Sequence, residues 1–103
     1  MKNTYDKLAY TISKCTTHTY STSFSLGIKA LDASLRSAIY AIYGYVRLAD
    51  EIVDSFHGYD QSSLLSQLIK ETDEALKNRI SINPIIQSFQ ETVHQYSIDK
   101  HLI

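Results

Sequence analysis

Between Asp32 and Ser55 the chain has no proline, and its charged residues recur at helical spacing. On a helix that turns by about 100° per residue, these residues fall within one narrow sector. We call this sector the charged stripe; it contains Arg36, Tyr43, Arg47, Asp50 and Asp54, with Glu51 at its edge. Carboxylates one turn apart suit a hard cation such as Mg²⁺, which takes one or two protein carboxylates and completes its shell with water and phosphate.

The rest of this helix leaves two interpretations of the charged stripe open. The opposite side is apolar: Ala38, Ile42, Tyr45, Val46, Ala49, Ile52, Val53 and Phe56. A third side is mostly small: Ser37, Ala41, Gly44, Leu48 and Ser55. A surface helix normally has a broad polar face, so this pattern predicts an interior helix whose charges are paired, metal-bound or in a water-filled cavity. The alternative is a solvated ion pair of Arg47 with Glu51 or Asp50.

The composition indicates one helical domain at most. The chain has 103 residues with one proline and three glycines, which favours long helices over a turn-rich β fold. A net charge of −1 with interspersed signs gives no support to a nucleic-acid partner. A single cysteine and the lack of a membrane-spanning apolar run predict a cytoplasmic protein in a reducing compartment.

The first part of the chain predicts one helix and a connector. Apolar spacing indicates a helix that ends near His18, with its core face at Tyr5, Leu8, Ala9, Ile12 and Cys15. The run 16–25 is rich in serine and threonine, which compete for backbone hydrogen bonds inside helices. It therefore predicts a connector with a short turn at 24–26 and a break at Gly27.

Capping residues predict the remaining helices. The second begins at Asp32 or Ser34 and ends near Ser55. The third begins at Asp60 or Ser62, with its core face at Leu64, Leu65, Leu68, Ile69, Thr72, Ala75 and Leu76. The fourth opens on Asn83 and Pro84, with its core face at Ile85, Ile86, Phe89, Val93 and Tyr96. Asp99 resembles the cap of a fifth helix.

Three segments in order resemble the N-terminal part of the phytoene/squalene synthase family, the head-to-head prenyl synthases. The segment 20–24 is similar to the S-x-S-F motif, and 36–54 is similar to the pattern R…Y-x-x-x-R-x-x-D-[DE]-x-x-D. The segment 83–93 is similar to the start of the next family helix. The resemblance implies an all-α fold, in which residues 1–103 form a single partial domain: the N-terminal helices of an incomplete isoprenoid-synthase-type bundle.

The resemblance also implies the activity. It indicates Mg²⁺-dependent head-to-head condensation of two prenyl diphosphates, with geranylgeranyl diphosphate to phytoene as the first choice. Squalene or dehydrosqualene synthesis from farnesyl diphosphate is the alternative within this class. A non-catalytic helical interaction module is the alternative outside it.

The same resemblance assigns roles to individual residues. The implied catalytic residues are Tyr43, Arg47, Asp50 and Asp54. The implied Mg²⁺ ligands are Asp50 and Asp54, with Glu51 in support. The implied substrate-binding residues are Ser21, Ser23, Phe24, Arg36, Tyr43 and Arg47.

The chain departs from the family pattern in two ways. Tyr20 stands where many relatives have histidine, and the second aspartate-rich helix of the family has no counterpart in the sequence. We therefore expect the 103-residue chain to be inactive alone and the intact protein to be a synthase. Further expectations are peripheral membrane contact for product release and self-association through exposed apolar helix faces.

Overall fold

The computed structural model describes residues 2–99, and within them the chain forms five helices and no strand. The helices are α1 (Lys2–Tyr20), α2 (Thr22–Ile28), α3 (Ala33–Asp54), α4 (Gln61–Asn78) and α5 (Pro84–Gln95). The predicted all-α class is confirmed. The helix expected after Asp99 lies outside the described residues. Within residues 2–99 no helix is both long enough and apolar enough to cross a bilayer.

Three helices, α1, α3 and α5, pack against one another, while α4 contacts α3 and α5 and α2 contacts α1. One cluster of buried apolar side chains comprises Ile52, Leu68, Ala75 and Ile86. Beside it the rings of Tyr45 and Phe89 stack with their centroids 3.9 Å apart. The Tyr45 hydroxyl lies 2.8 Å from Thr72 Oγ1, so its polar end is satisfied inside the apolar layer.

The buried face of α1 differs from the predicted one. It consists of Ala9, Ser13 and Thr17, whereas the predicted core residues Leu8 and Cys15 are exposed. Small side chains spaced by four residues let the α1 backbone approach its neighbours closely. The buried face of α1 therefore favours close contact with neighbouring helices over burial of large apolar side chains.

The predicted connector at 16–25 is wrong, because this run is helical apart from Ser21. The hydroxyls of Thr16, Thr17 and Thr19 each donate to the carbonyl four residues earlier, at 2.8–2.9 Å. Each hydroxyl is thereby satisfied inside the helix instead of breaking it. Gly27, the expected break, lies within α2.

The predicted starts of α3, α4 and α5 are confirmed. Asp60 accepts a hydrogen bond from the Ser63 amide, and Asn83 accepts from the first amides of α5. Pro84 occupies the first turn of α5, where its missing amide proton costs nothing. Asp32 is the N-cap of α3 but makes no side-chain capping bond.

Helix α3 was predicted to be an interior helix, but among residues 2–99 it is not covered on all sides. Its buried positions include Ala41, Gly44 and Ile52, whereas Val46 and Val53 of the predicted apolar side are 48% and 53% exposed. The buried face of α3 combines residues of both predicted sides, since Gly44 of the small side contacts Ser13 of α1 and Tyr45 of the apolar side stacks on Phe89 of α5. Two other residues that were predicted to lie in the core, Ile69 of α4 and Tyr96, are also exposed.

Candidate functional site

The candidate site lies where the C-terminal end of α1 meets the second half of α3. A cleft of about 190 Å³ opens there. Its lining residues come from α1, α3 and α5: Thr16, Tyr20, Gly44, Arg47, Leu48, Glu51 and Ile85. The polar side chains of this lining come from both α1, with Thr16 and Tyr20, and α3, with Arg47 and Glu51.

Arg47 occupies the centre of the site. Its Nη2 atom lies 3.2 Å from Glu51 Oε2 and 3.9 Å from Asp54 Oδ2. Its guanidinium carbon lies 4.9 Å from the centroid of the Tyr20 ring. The side chain is only 23% exposed, and its buried Nε atom has no hydrogen-bond partner among residues 2–99. The site thus contains a largely buried cation with an unused donor.

Glu51 is the nearest counter-charge of Arg47. A hydrogen bond with the Ser55 hydroxyl lowers the pKa of Glu51, and interactions with Tyr20 and Arg47 lower it further. Desolvation and the adjacent Glu51 carboxylate in turn raise the pKa of Tyr20. We call Tyr20, Arg47 and Glu51 the arginine cluster. These pKa shifts favour the charged carboxylate of Glu51 and the neutral phenol of Tyr20.

Asp54 borders the site through its contact with Arg47, and Asp50 lies one turn earlier on α3, outside the lining of the cleft. Asp50 is exposed, and the Asp54 side chain is 66% exposed. Within residues 2–99 no three histidine, cysteine, aspartate or glutamate side chains are grouped closely enough to hold a metal. Two accessible carboxylates still fit Mg²⁺, which commonly takes the rest of its ligands from water and substrate phosphate.

Of the predicted substrate-binding residues at the start of α2, Phe24 contacts α3. The ring of Phe24 packs against Tyr43 with a centroid distance of 4.9 Å. Ser21 is the N-cap of α2 and accepts a hydrogen bond from the Phe24 amide at 3.1 Å, which leaves its own hydroxyl proton available to an acceptor. Ser23 is exposed.

Arg36 is separate from the arginine cluster. Its Nε donates to the Leu31 carbonyl at 2.9 Å, which holds the side chain near the start of α3. Arg47 follows Arg36 by eleven positions, which places the two roughly 16 Å apart along a straight helix. The structure therefore groups Arg47, Glu51 and Asp54 and leaves Arg36 at a distance.

Sequence reasoning missed the part of the cleft that α1 and α5 supply, including Tyr20 and Ile85. A signal for Tyr20 was present in the sequence. Ala9, Ser13, Thr17 and Tyr20 follow helical spacing, so Tyr20 lies on the same side of α1 as its buried residues. No local pattern identified Ile85 as part of the site.

Comparison with known protein families identifies one that this chain matches. The family model described as squalene/phytoene synthase matches residues 17–103, which include the charged stripe, Tyr20 and all of α2 to α5. The chain has no significant match among curated proteins or solved structures. Members of the matched family are prenyltransferases and typically depend on a divalent metal. Because the match spans well over half of its length, the chain belongs to the squalene/phytoene synthase family.

Proposed function

We propose that the protein containing this chain joins two prenyl diphosphates head to head in a Mg²⁺-dependent reaction, with geranylgeranyl diphosphate as substrate and phytoene as product. The observation that carries the proposal is the environment of Arg47. Its side chain, only 23% exposed, lines the cleft and lies beside the accessible carboxylate of Asp54, with the exposed Asp50 one turn earlier on α3. This combination suits a diphosphate, because the anion needs both a directional cation and a bridging metal.

The chemistry explains why these side chains are needed. Departure of pyrophosphate from an allylic carbon leaves negative charge on the phosphate oxygens, which arginine donors stabilise electrostatically. When bound, Mg²⁺ supplies further charge neutralisation of the leaving group. Asp50 and Asp54 would hold the metal. Glu51, predicted to support the metal, pairs with Arg47 in the free chain and sets the orientation of its guanidinium.

The α2 side of the site has a complementary role in the proposal. Ser21, Ser23 and Tyr43 carry hydroxyl groups that donate to phosphate oxygens. The packed rings of Phe24 and Tyr43 give an apolar surface for the prenyl chain and shield the allylic cation from water. Arg36 would assist the second diphosphate, since it lies well apart from Arg47 along α3.

A single acidic helix would hold the metal from one side only. We therefore propose that the 103-residue chain binds a prenyl diphosphate but does not turn it over, and that turnover requires a second acidic helix. The exposed apolar side chains of Val46 and Val53 are available for the packing of further helices or for self-association. A cytoplasmic location with peripheral membrane contact, through which the hydrocarbon product leaves, completes the proposal.

Ligand binding to the purified chain tests this function. Non-ionising thiolodiphosphate analogues of geranylgeranyl and farnesyl diphosphate are titrated with Mg²⁺ and, as control, with a chelator. We expect binding that requires Mg²⁺ and is tighter for the geranylgeranyl analogue, because its longer chain buries more apolar area. The absence of Mg²⁺-dependent binding would contradict the function. Tighter binding of the farnesyl analogue would favour squalene or dehydrosqualene synthesis.

Incubation of the same chain with geranylgeranyl diphosphate and Mg²⁺ tests the requirement for a second acidic helix. We expect no hydrocarbon product by mass spectrometry. Formation of phytoene by the chain alone would show that one acidic helix is sufficient.

A helical interaction module is the second candidate, and the exposed apolar side of α3 favours it. The module predicts self-association that Val46→Ser weakens, together with no affinity for either analogue. Sedimentation velocity beside the same titrations separates the two candidates, since the synthase requires Mg²⁺-dependent binding and the module does not.

A further inference from the structure

The proposed function assigns no role to the contact between Tyr20 and Arg47. Tyr20 is the last residue of α1, it is 50% exposed, and its ring faces the Arg47 guanidinium at 4.9 Å. A half-exposed tyrosine at a helix end is normally free to rotate into solvent. Here the ring instead lies on a cation that is itself mostly buried.

Hydrogen bonds hold the backbone on both sides of Tyr20. The Ser21 amide donates to the Thr17 carbonyl, and the Ser21 side chain caps α2. Thr17 is fully buried, and its hydroxyl bonds the Ser13 carbonyl. The backbone of Tyr20 is therefore held between the end of α1 and the first turn of α2, next to the cleft that its side chain lines.

The contact with Tyr20 differs in kind from the contact with Glu51. A carboxylate occupies N–H donors of Arg47, whereas an aromatic face attracts the cation through its quadrupole and occupies none. The ring can thus restrict the guanidinium while its remaining donors stay available for an anion. The Nε of Arg47 is buried, so the donors available to an anion are those of the terminal nitrogens, on a side chain that is 23% exposed.

We propose that Tyr20 is a positioning residue for anion binding: its ring holds the Arg47 guanidinium at the cleft so that unused N–H donors face a diphosphate. This role rests on the proposed function, in which Arg47 binds that diphosphate. Removing the ring lets the guanidinium sample other rotamers, so the affinity falls by the contribution of one exposed cation–π contact, about two- to five-fold.

Two conservative variants separate the ring from the hydroxyl. Tyr20→Phe keeps the aromatic face, whereas Tyr20→Leu removes it and keeps an apolar side chain. Tyr59→Leu is the matched control, because Tyr59 is a more exposed tyrosine whose ring contacts Phe56 and not Arg47. Circular dichroism establishes that each variant is folded.

Two readouts test the role on the full 103-residue chain. One is the Arg47 Nε–H proton resonance in ¹⁵N-labelled protein, which an aromatic ring shifts. The other is the dissociation constant of inorganic pyrophosphate in the presence of Mg²⁺, measured by calorimetry. We expect Tyr20→Phe and Tyr59→Leu to match the wild type, and Tyr20→Leu to lose the ring-induced shift and to bind pyrophosphate about two- to five-fold more weakly.

The outcomes distinguish this inference from the proposed function. Pyrophosphate binding that Tyr20→Leu leaves unchanged overturns the positioning role alone. A wild-type chain that shows the ring-induced shift but binds no pyrophosphate contradicts the proposed function. If Tyr20→Leu fails to fold, nuclear Overhauser contacts between the Tyr20 ring and the Arg47 side chain are measured in the wild type. Their presence supports the positioning role, and their absence overturns it.

Discussion

Gly44 faces Ser13 so closely that a methyl group on Gly44 would lie 3.2 Å from the Ser13 side chain and 3.3 Å from its Cα atom. Ser13 Oγ in turn lies 2.6 Å from Ser88 Oγ, which ties α1 to α5 at the same level. This contact sets the spacing between α1 and α3. It thereby determines how closely the end of α1 brings Tyr20 to Arg47.

Gly44→Ala is expected to lower the free energy of unfolding by about 1 kcal/mol. The substitution gains helix propensity of about 1 kcal/mol, but pushing α1 away from α3 costs about 1–3 kcal/mol. Gly27→Ala in α2 is the matched control, because nothing lies within 4 Å of its added methyl group. It is expected to raise the free energy of unfolding by about 0.5–1 kcal/mol. Chemical denaturation measures both, and equal stabilisation by the two variants would contradict the close contact.

Asn83→Ala is expected to destabilise the chain by about 1 kcal/mol. The Asn83 side chain accepts hydrogen bonds from the Ile85 and Ile86 amides at 2.9 and 3.3 Å, and the variant leaves both amides without this cap. Asp32→Ala removes an N-cap residue that makes no such bond and should change stability by less than about 0.5 kcal/mol. Thermal unfolding of the two variants checks the difference, and equal losses would argue against side-chain capping of α5.

The helix starts could be predicted because they depend on local chemistry. Asp60 and the Asn83–Pro84 pair begin their helices regardless of what packs around them. The hydroxyl-rich run 16–25 could not be assigned this way. Its threonines can either break a helix or bond within it, and contacts of α1 with α3 and α5 decide between the two.

The charged stripe was located by spacing alone, but its environment was not. Helical periodicity places Arg47, Glu51 and Asp54 together, as the structure does. It does not say which side of α3 is buried when two sides are apolar or small, and Val46 and Val53 lie outside as a result. The contact between Tyr20 and Arg47 is a tertiary feature that spacing within α3 does not encode.

Stability is expected to fall at alkaline pH because of Tyr45. Desolvation in the core raises the pKa of Tyr45 above its ordinary value of about 10, so the folded state favours the neutral phenol. This contribution is fully present below the unfolded-state pKa and is lost as the pH rises through the folded-state pKa. Denaturation across this range should show a loss that Tyr45→Phe reduces. A loss of the same size in Tyr45→Phe would assign the effect to other groups.

Asp50→Asn is expected to leave the stability within about 0.5 kcal/mol of wild type, because the side chain is exposed and has no ion pair among residues 2–99. Loss of a residue that supports a metal ligand typically lowers metal affinity by about ten- to a hundred-fold, and loss of a direct ligand should cost at least as much. Pyrophosphate affinity in the presence of Mg²⁺ should therefore fall by at least about tenfold. Asp73→Asn on α4 is the control and should change neither property. Unchanged affinity in Asp50→Asn would remove it from the metal site.

Calorimetric titration of pyrophosphate and Mg²⁺ into wild type and Arg47→Gln tests the central claim most directly, namely that the arginine cluster binds a diphosphate. Glutamine keeps a polar side chain but lacks the charge and most of the donors of arginine. The account predicts Mg²⁺-dependent binding to wild type and an affinity about ten- to a hundred-fold lower for Arg47→Gln, as expected for loss of hydrogen bonds to a charged group. Equal affinity of the two proteins would contradict it.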